Sequence, residues 1–459
     1  MRLPESLPRA GAPLLPLLER ELRALAAGRA LWVMALLLCP VVGYGFTEAV
    51  GLYAEASRSA EGFPELARGM TPLDGVLVPT LGAFYVAVTL LFPFVAIRTL
   101  GGDKENGGLK LLLQLPHSPV VLVLAKLAAA ITGWLLALVP ALSALFLWAA
   151  LGGHLHVPET LNLLLGHLLY GLLVAAVGLF AASVADGPAT AAIGALAFVL
   201  GAWVLDFAAA GQGAWMRRLA DLSPTAALRG FEGGLLALPA VLGMLIAAAA
   251  LVALAVVWLP PGRPVPRKLA LSAAVLAAAA ALSLASAQAR LYADLSESRR
   301  NSFAPGDEAA LRRLSEPLAI TVHLSPDDPR LADFERQVLG KLRRLVPRIS
   351  VTIAETPKGL LTPSGDDRYG LVFYDYGARH DESRSTSFRE VLPLLFALAG
   401  ATPERIEAAD YPGYPLVADA RPAAPWFYAV LPALLALAWW RVRRAGAAPD
   451  WLQHKGGVP

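Results

Sequence analysis

The feature that most constrains this 459-residue chain is a series of long apolar runs, at 31–50, 76–97, 120–151, 161–184, 188–209, 235–259, 269–287 and 425–440. A helix needs about 20 apolar residues to cross the hydrocarbon of a bilayer. The last run is short, but Trp426, Tyr428, Trp439 and Trp440 bracket it, as aromatic residues do at membrane–water interfaces. The third run is longer than one crossing needs. Its first part holds Lys126 and is expected at the cytoplasmic surface. Composition agrees: 56% of residues are hydrophobic and 16% charged, against about 25% charged in a soluble domain. The fold class expected is an α-helical integral membrane protein with about eight transmembrane helices and a small extracytoplasmic α/β domain.

Basic residues set the orientation. Arg20, Arg23 and Arg29 precede the first run. Lys104, Lys110 and Lys126 follow the second, Arg263, Arg267 and Lys268 follow the sixth, and Arg441, Arg443 and Arg444 follow the eighth. All four groups fall on one side if every run crosses, which makes that side cytoplasmic. Both termini are then cytoplasmic in a multi-pass protein of the inner membrane. The outer connection 210–234 departs from the rule with Arg217, Arg218 and Arg229; an interfacial amphipathic segment burying Trp215, Leu219 and Leu222 accounts for it. The N-terminal arginines resemble a signal-peptide n-region, yet no small-residue cleavage site follows, so the first run is read as a retained span. The net charge of +3 is too small to point to nucleic acid. A single cysteine, Cys39, leaves no intrachain disulfide and no CxxC chemistry.

The expected divisions are 1–30, a cytoplasmic amphipathic helix; 31–260, six spans; 261–289, a seventh span with its linker; 290–424, an extracytoplasmic domain; and 425–459, an eighth span with a cytoplasmic tail. In the first, Leu15, Leu18, Leu22 and Leu25 recur at helical spacing, which suits a helix on the inner leaflet. In the fourth, 318–324, 349–355 and 369–377 read as strands, and 328–346 and 387–400 as helices. Strand–helix–strand order gives a sheet that is parallel in part.

Catalytic patterns are missing. The chain has no GxxxxGK[ST], which excludes nucleotide hydrolysis by that route, and no HExxH or GxSxG. His154, His156 and Glu159 could ligate a metal, but in a short outer loop with no further ligand nearby they read as solvated loop residues. No cofactor or metal is expected in this chain. His167 reads as a hydrogen-bonded packing residue. Asp206 is the one acid within a run, and a proton-coupled carrier needs more such groups at membrane depth. The motor is therefore expected on another chain.

The strongest local signal is RTLGGDKENGGLKLLLQLPHSP at 98–119. Asp103, Lys104 and Glu105 open it, Gly107 and Gly108 allow a tight turn, and Leu109, Leu111, Leu112, Leu113 and Leu115 make a short apolar helix that Pro116 ends. Such an element can lie at the membrane surface and enter a cleft on a soluble partner.

These residues resemble the permease subunit of type-2 ABC exporters. Asp103, Lys104, Glu105, Gly107, Leu109, Leu112, Leu113, Pro116, Ser118 and Lys126 follow that family's inner-segment pattern, with Lys104 where Arg is usual and Gly108 where Thr or Ser is. Leu222, Ser223, Pro224, Gly230, Gly233 and Gly234, before the sixth run, are similar to its outer re-entrant segment. A second resemblance covers 294–326: Asp294, Leu295, Arg299, Phe303, Leu311, Leu314, Pro317, Ile320 and Val322 match the start of the extracytoplasmic domain of gliding-motility-type ABC auxiliary proteins. The insert here is much shorter than usual in that family.

The resemblance implies a non-catalytic permease with a coupling helix at 103–118. Its partners would be a cytoplasmic ABC ATPase that holds ATP and Mg, a second permease copy (identical or related), the lipid bilayer, and an extracytoplasmic or envelope protein. Two activities fit: substrate export, or mechanical transmission that moves the outer domain against an envelope partner.

Overall fold

The computed structural model describes residues 14–115, 117–208, 216, 223–325, 328–354, 368–404 and 411–446. Among them are eight helices long and apolar enough to cross a membrane: Arg29–Ala60, Leu73–Glu105, Pro119–Ala150, Val157–Val184, Pro188–Leu205, Leu238–Trp258, Val265–Ala287 and Arg421–Arg444. They are spans 1 to 8 below. The chain is a multi-pass membrane protein.

Spans 1 to 4 form the centre. Their shared core includes Phe46, Phe84, Phe92, Trp134 and Tyr170. Small residues let the helices approach, as in membrane bundles generally: the backbone of Gly171 on span 4 lies against the indole of Trp134, and that of Gly178 against Ala96. Trp134 meets Phe92 edge to face at 4.8 Å between ring centroids and Phe84 at 5.7 Å, the geometry that the ring quadrupoles favour.

Span 3 is built in two segments. Its two segments, Pro119–Ala137 and Val139–Ala150, join at Leu138, whose N–H still donates to Trp134 O at 3.0 Å. The run is thus one helical stretch broken beside Pro140. At 1.5 Å per residue it reaches about 48 Å, well beyond the roughly 30 Å of hydrocarbon. Near its start Lys126 is fully buried under other elements.

Span pairing defines two ends. At one, β1 (Leu235–Ala237), just before span 6, pairs antiparallel with β2 (Tyr292–Asp294), after span 7. Arg300 bonds Asp74 at 2.8 Å, Tyr53 Oη donates to Tyr414 O at 2.7 Å, and Leu416 N donates to Ser57 Oγ at 2.9 Å. At the other end, the N-terminal helix Leu14–Ala27 meets spans 2 and 3. The alternation of ends is what eight crossings require.

The insert forms a four-stranded sheet of order β4-β3-β5-β6: β3 (Leu318–Val322), β4 (Ile349–Ile353), β5 (Val372–Tyr376) and β6 (Arg379–Ser383). β3 and β4 are parallel, while β5 is antiparallel to both β3 and β6. Period-two alternation buries Leu318, Ile320, Val322, Val372, Tyr374 and Tyr376 in one core with helical residues such as Phe334, Leu342 and Leu395. The strand β6 was not apparent in the sequence. Its RHDES composition is that of a charged, exposed edge strand, and it follows a two-residue turn at Gly377, whose φ is 58°.

Candidate functional site

The segment 98–119 builds its site from the end of span 2. Glu105 ends that helix, Asn106 caps it, and Gly107 at φ 72° reverses the chain into the short helix Gly108–Gln114. A residue with a Cβ is strained in this left-handed region, so Gly107 is the position that the turn demands. Gly108 already has helical geometry. Leu109 and Leu112 turn inward onto a core that contains Ile97, Leu100, Leu122 and Val123, and Leu113 is half-buried. Lys110, Leu111, Gln114 and Leu115 face out together with Glu105 and Asn106; Leu111 is 68% exposed. Ser118 caps span 3 by accepting from Val121 N at 3.4 Å. Pro116 lies outside the described residues.

Behind this helix is an ion cluster. Lys126 Nζ donates to Glu21 Oε2 at 3.0 Å, to Thr99 O at 2.6 Å, and to the Asp103 carboxylate. Arg20 bonds the other oxygen of Asp103 at 2.9 Å and Glu21 Oε1 at 2.6 Å. That hydrogen bond to Asp103 raises the Arg20 pKa further. Two acids and two bases from three elements neutralise one another, with Lys126 and Glu21 buried and Arg20 reaching water, and such pairing is the condition for tolerating buried charge. Lys104 serves a different neighbour: its Nζ donates to Ser183 O at 2.9 Å and Ala185 O at 2.8 Å, at the carboxyl end of span 4. An ammonium there satisfies orphan carbonyls and complements the helix dipole. Asp103 and Lys104 therefore join the N-terminal helix and spans 2, 3 and 4 into one block.

The cluster also sets the face of the N-terminal helix. Leu17 and Glu21 are its buried residues, Leu18, Leu22 and Leu25 are half-buried, and Leu15 is 76% exposed. The apolar stripe expected from leucine spacing is rotated, because Glu21 has to reach Lys126.

The segment expected on the outer side forms the helix Pro224–Glu232. Ser223 caps it, accepting from Ala226 N at 3.1 Å, and Pro224 occupies its first turn. Phe231 packs on Gly166 of span 4, and Asn162 Nδ2 donates to Phe231 O at 2.9 Å. Gly230 faces open space, Gly233 caps the end, and Gly234 at φ 79° lies against Ser296 of the insert. Leu222, with Trp215, Arg217, Arg218 and Leu219, lies outside the described residues. Beside this helix an open-sided cavity of about 490 Å³ is lined by Tyr85 of span 2, Trp203 of span 5, and Thr225, Leu228, Arg229 and Glu232. Burial raises the Glu232 carboxyl pKa, while nearby Arg229 opposes the shift.

Three histidines depart from expectation. His167 is fully buried, with Phe84 and Tyr85 ring edges around it and no hydrogen-bond partner at either nitrogen. His154 and His156 are not isolated in a loop, because Glu297 of the insert joins them. For Asp206, on the helix Pro188–Ala208, no side-chain environment is described.

Residues 15–264, more than half of the chain, match the ABC-2 family transporter protein family, and the chain belongs to it. It is a permease subunit of an ABC transporter, and membership implies an ATPase partner. No curated protein and no solved structure matches the chain.

Proposed function

We propose that this permease couples ATP hydrolysis on a separate cytoplasmic ATPase to movement of a substrate across the inner membrane, and that 103–118 is the coupling element. The observation that carries this reading is the two-sided helix Gly108–Gln114. Its inner leucines rest on the block joined by Asp103, Lys104 and Lys126, and its outer face presents Lys110, Leu111 and Leu115. A push on the outer face reaches spans 2, 3 and 4 together. ATP and Mg belong to the partner, and a second permease copy completes the translocation path. The cavity between span 2, span 5 and Pro224–Glu232 is the surface that faces substrate or the second copy.

Affinity purification from mild detergent tests this reading. A co-purifying chain with a Walker A motif is expected, and its absence from an otherwise intact preparation counts against an external motor.

A second reading is mechanical: ATP-driven spans move the outer unit against an envelope partner without carrying substrate. The ties from that unit to the outer ends of spans 1 and 2, through Tyr414, Leu416 and Arg300, favour it. The gliding-motility-type resemblance of 294–326 belongs with it. There Asp294 organises the chain, accepting from Ser296 N at 3.1 Å and Asn301 N at 2.9 Å around Arg299 at φ 51°. Transport into sealed vesicles separates the two readings.

A further inference from the structure

We propose that His156, Glu159 and Glu297 form a binding site for a divalent transition metal of the zinc class, which clamps the outer unit to the outer end of span 4. This goes beyond the permease reading and does not depend on it.

The three side chains bring one ligand atom each to within 4.8 Å of one another. They come from two separate parts of the chain. His156 caps the start of span 4 and Glu159 lies in its first turn, whereas Glu297 lies in the turn after β2. Glu159 is nearly fully buried. Its Oε2 accepts from Glu297 N at 3.0 Å and stands 3.9 Å from His156 Nδ1. That nitrogen is buried and has no hydrogen-bond partner. Two carboxylates held this close repel each other, and an imidazole nitrogen with nothing to bond is a cost of its own. A dication bound between them removes both penalties.

The neighbours orient the ligands. His154 Nε2 lies 2.8 Å from Glu297 Oε2, and Tyr414 Oη donates to Glu297 Oε1 at 2.6 Å. The rings of His154 and Tyr414 stack at 3.7 Å between centroids. Such outer contacts fix ligand geometry at metal sites. Arg300 adds positive charge near Glu159, but it is bonded to Asp74 at 2.8 Å, so the two carboxylates leave the pocket net negative. One nitrogen and two carboxylate donors suit zinc, whose bonds of about 2.0–2.2 Å ask the ligand atoms to close by roughly 1 Å.

The test uses the full-length protein without an affinity tag, in nanodiscs and stripped by chelator. It is titrated with Zn²⁺ against a chromogenic competitor, and in parallel with Co²⁺ followed by its visible absorption. One zinc per chain at micromolar or lower Kd is expected, with a Co²⁺ spectrum of low coordination number and a Tm that rises on loading. His156→Ala and Glu297→Gln should each weaken zinc binding at least tenfold. The melting temperature of each variant without metal reports its fold. If Glu297→Gln does not fold, His156→Ala carries the comparison, since its Nδ1 has no bond to lose. A native protein that binds no zinc, or His156→Ala that binds it as tightly as native, overturns the proposal.

Discussion

Lys126 shows how far a residue's neighbours can redefine it. In sequence it is a lone lysine in an apolar run; in the fold it is the centre of a cluster with Glu21, 105 residues away, and Asp103. That separation is why the cluster was not legible: the spacing of Leu18, Leu22 and Leu25 predicts a helix face, but nothing local says that Glu21 lies on it. Asp103 and Lys104 were legible as a motif, yet their neighbours, Arg20 and the carbonyls of Ser183 and Ala185, were not. Lys126→Met leaves Glu21 and Asp103 with Arg20 as their shared partner, one cation between two carboxylates. Removing one cation from a buried ion cluster is destabilising, so the variant should melt lower in detergent, and Glu21→Gln added to it, which leaves Arg20 paired with Asp103, should recover part of the loss. A melting temperature unchanged by Lys126→Met would show that the cluster is not a structural tie.

At the scale of elements, the spans were the most legible part, because a long apolar run carries its own evidence of length. Boundaries and breaks were less so. The break of span 3 at Leu138 carries no mark in its apolar run, and β6 lacks the apolar alternation that marked β3 and β5. The Gly pair was legible as a turn, but only the backbone separates its members: Gly107 has φ 72° and Gly108 does not. A Cβ in the left-handed region costs about 1–2 kcal/mol. Gly107→Ala should therefore loosen the helix Gly108–Gln114 and lower ATPase stimulation, while Gly108→Ala should leave it nearly native. ATPase assays of the two variants side by side check this, and equal effects would place the turn elsewhere.

For the whole molecule, the eight spans were legible in the sequence as long apolar runs, and the fold has eight helices of that length and character among the described residues. How the outer unit is seated was not, since each contact joins distant parts of the chain: Tyr53 with Tyr414, Asp74 with Arg300, His154 with Glu297. The resulting body has a rigid block at one end, reached through Gly108–Gln114, and a docked α/β unit at the other. In the coupling proposed above, force enters through the exposed face of that short helix. The most direct test is the ATPase rate of the reconstituted complex carrying Glu105→Arg or Leu111→Asp, two exposed positions that support no core. Stimulation by the permease should fall to the basal rate of the ATPase in both, with membrane insertion and melting temperature unchanged. Full stimulation in both variants would contradict coupling through this segment.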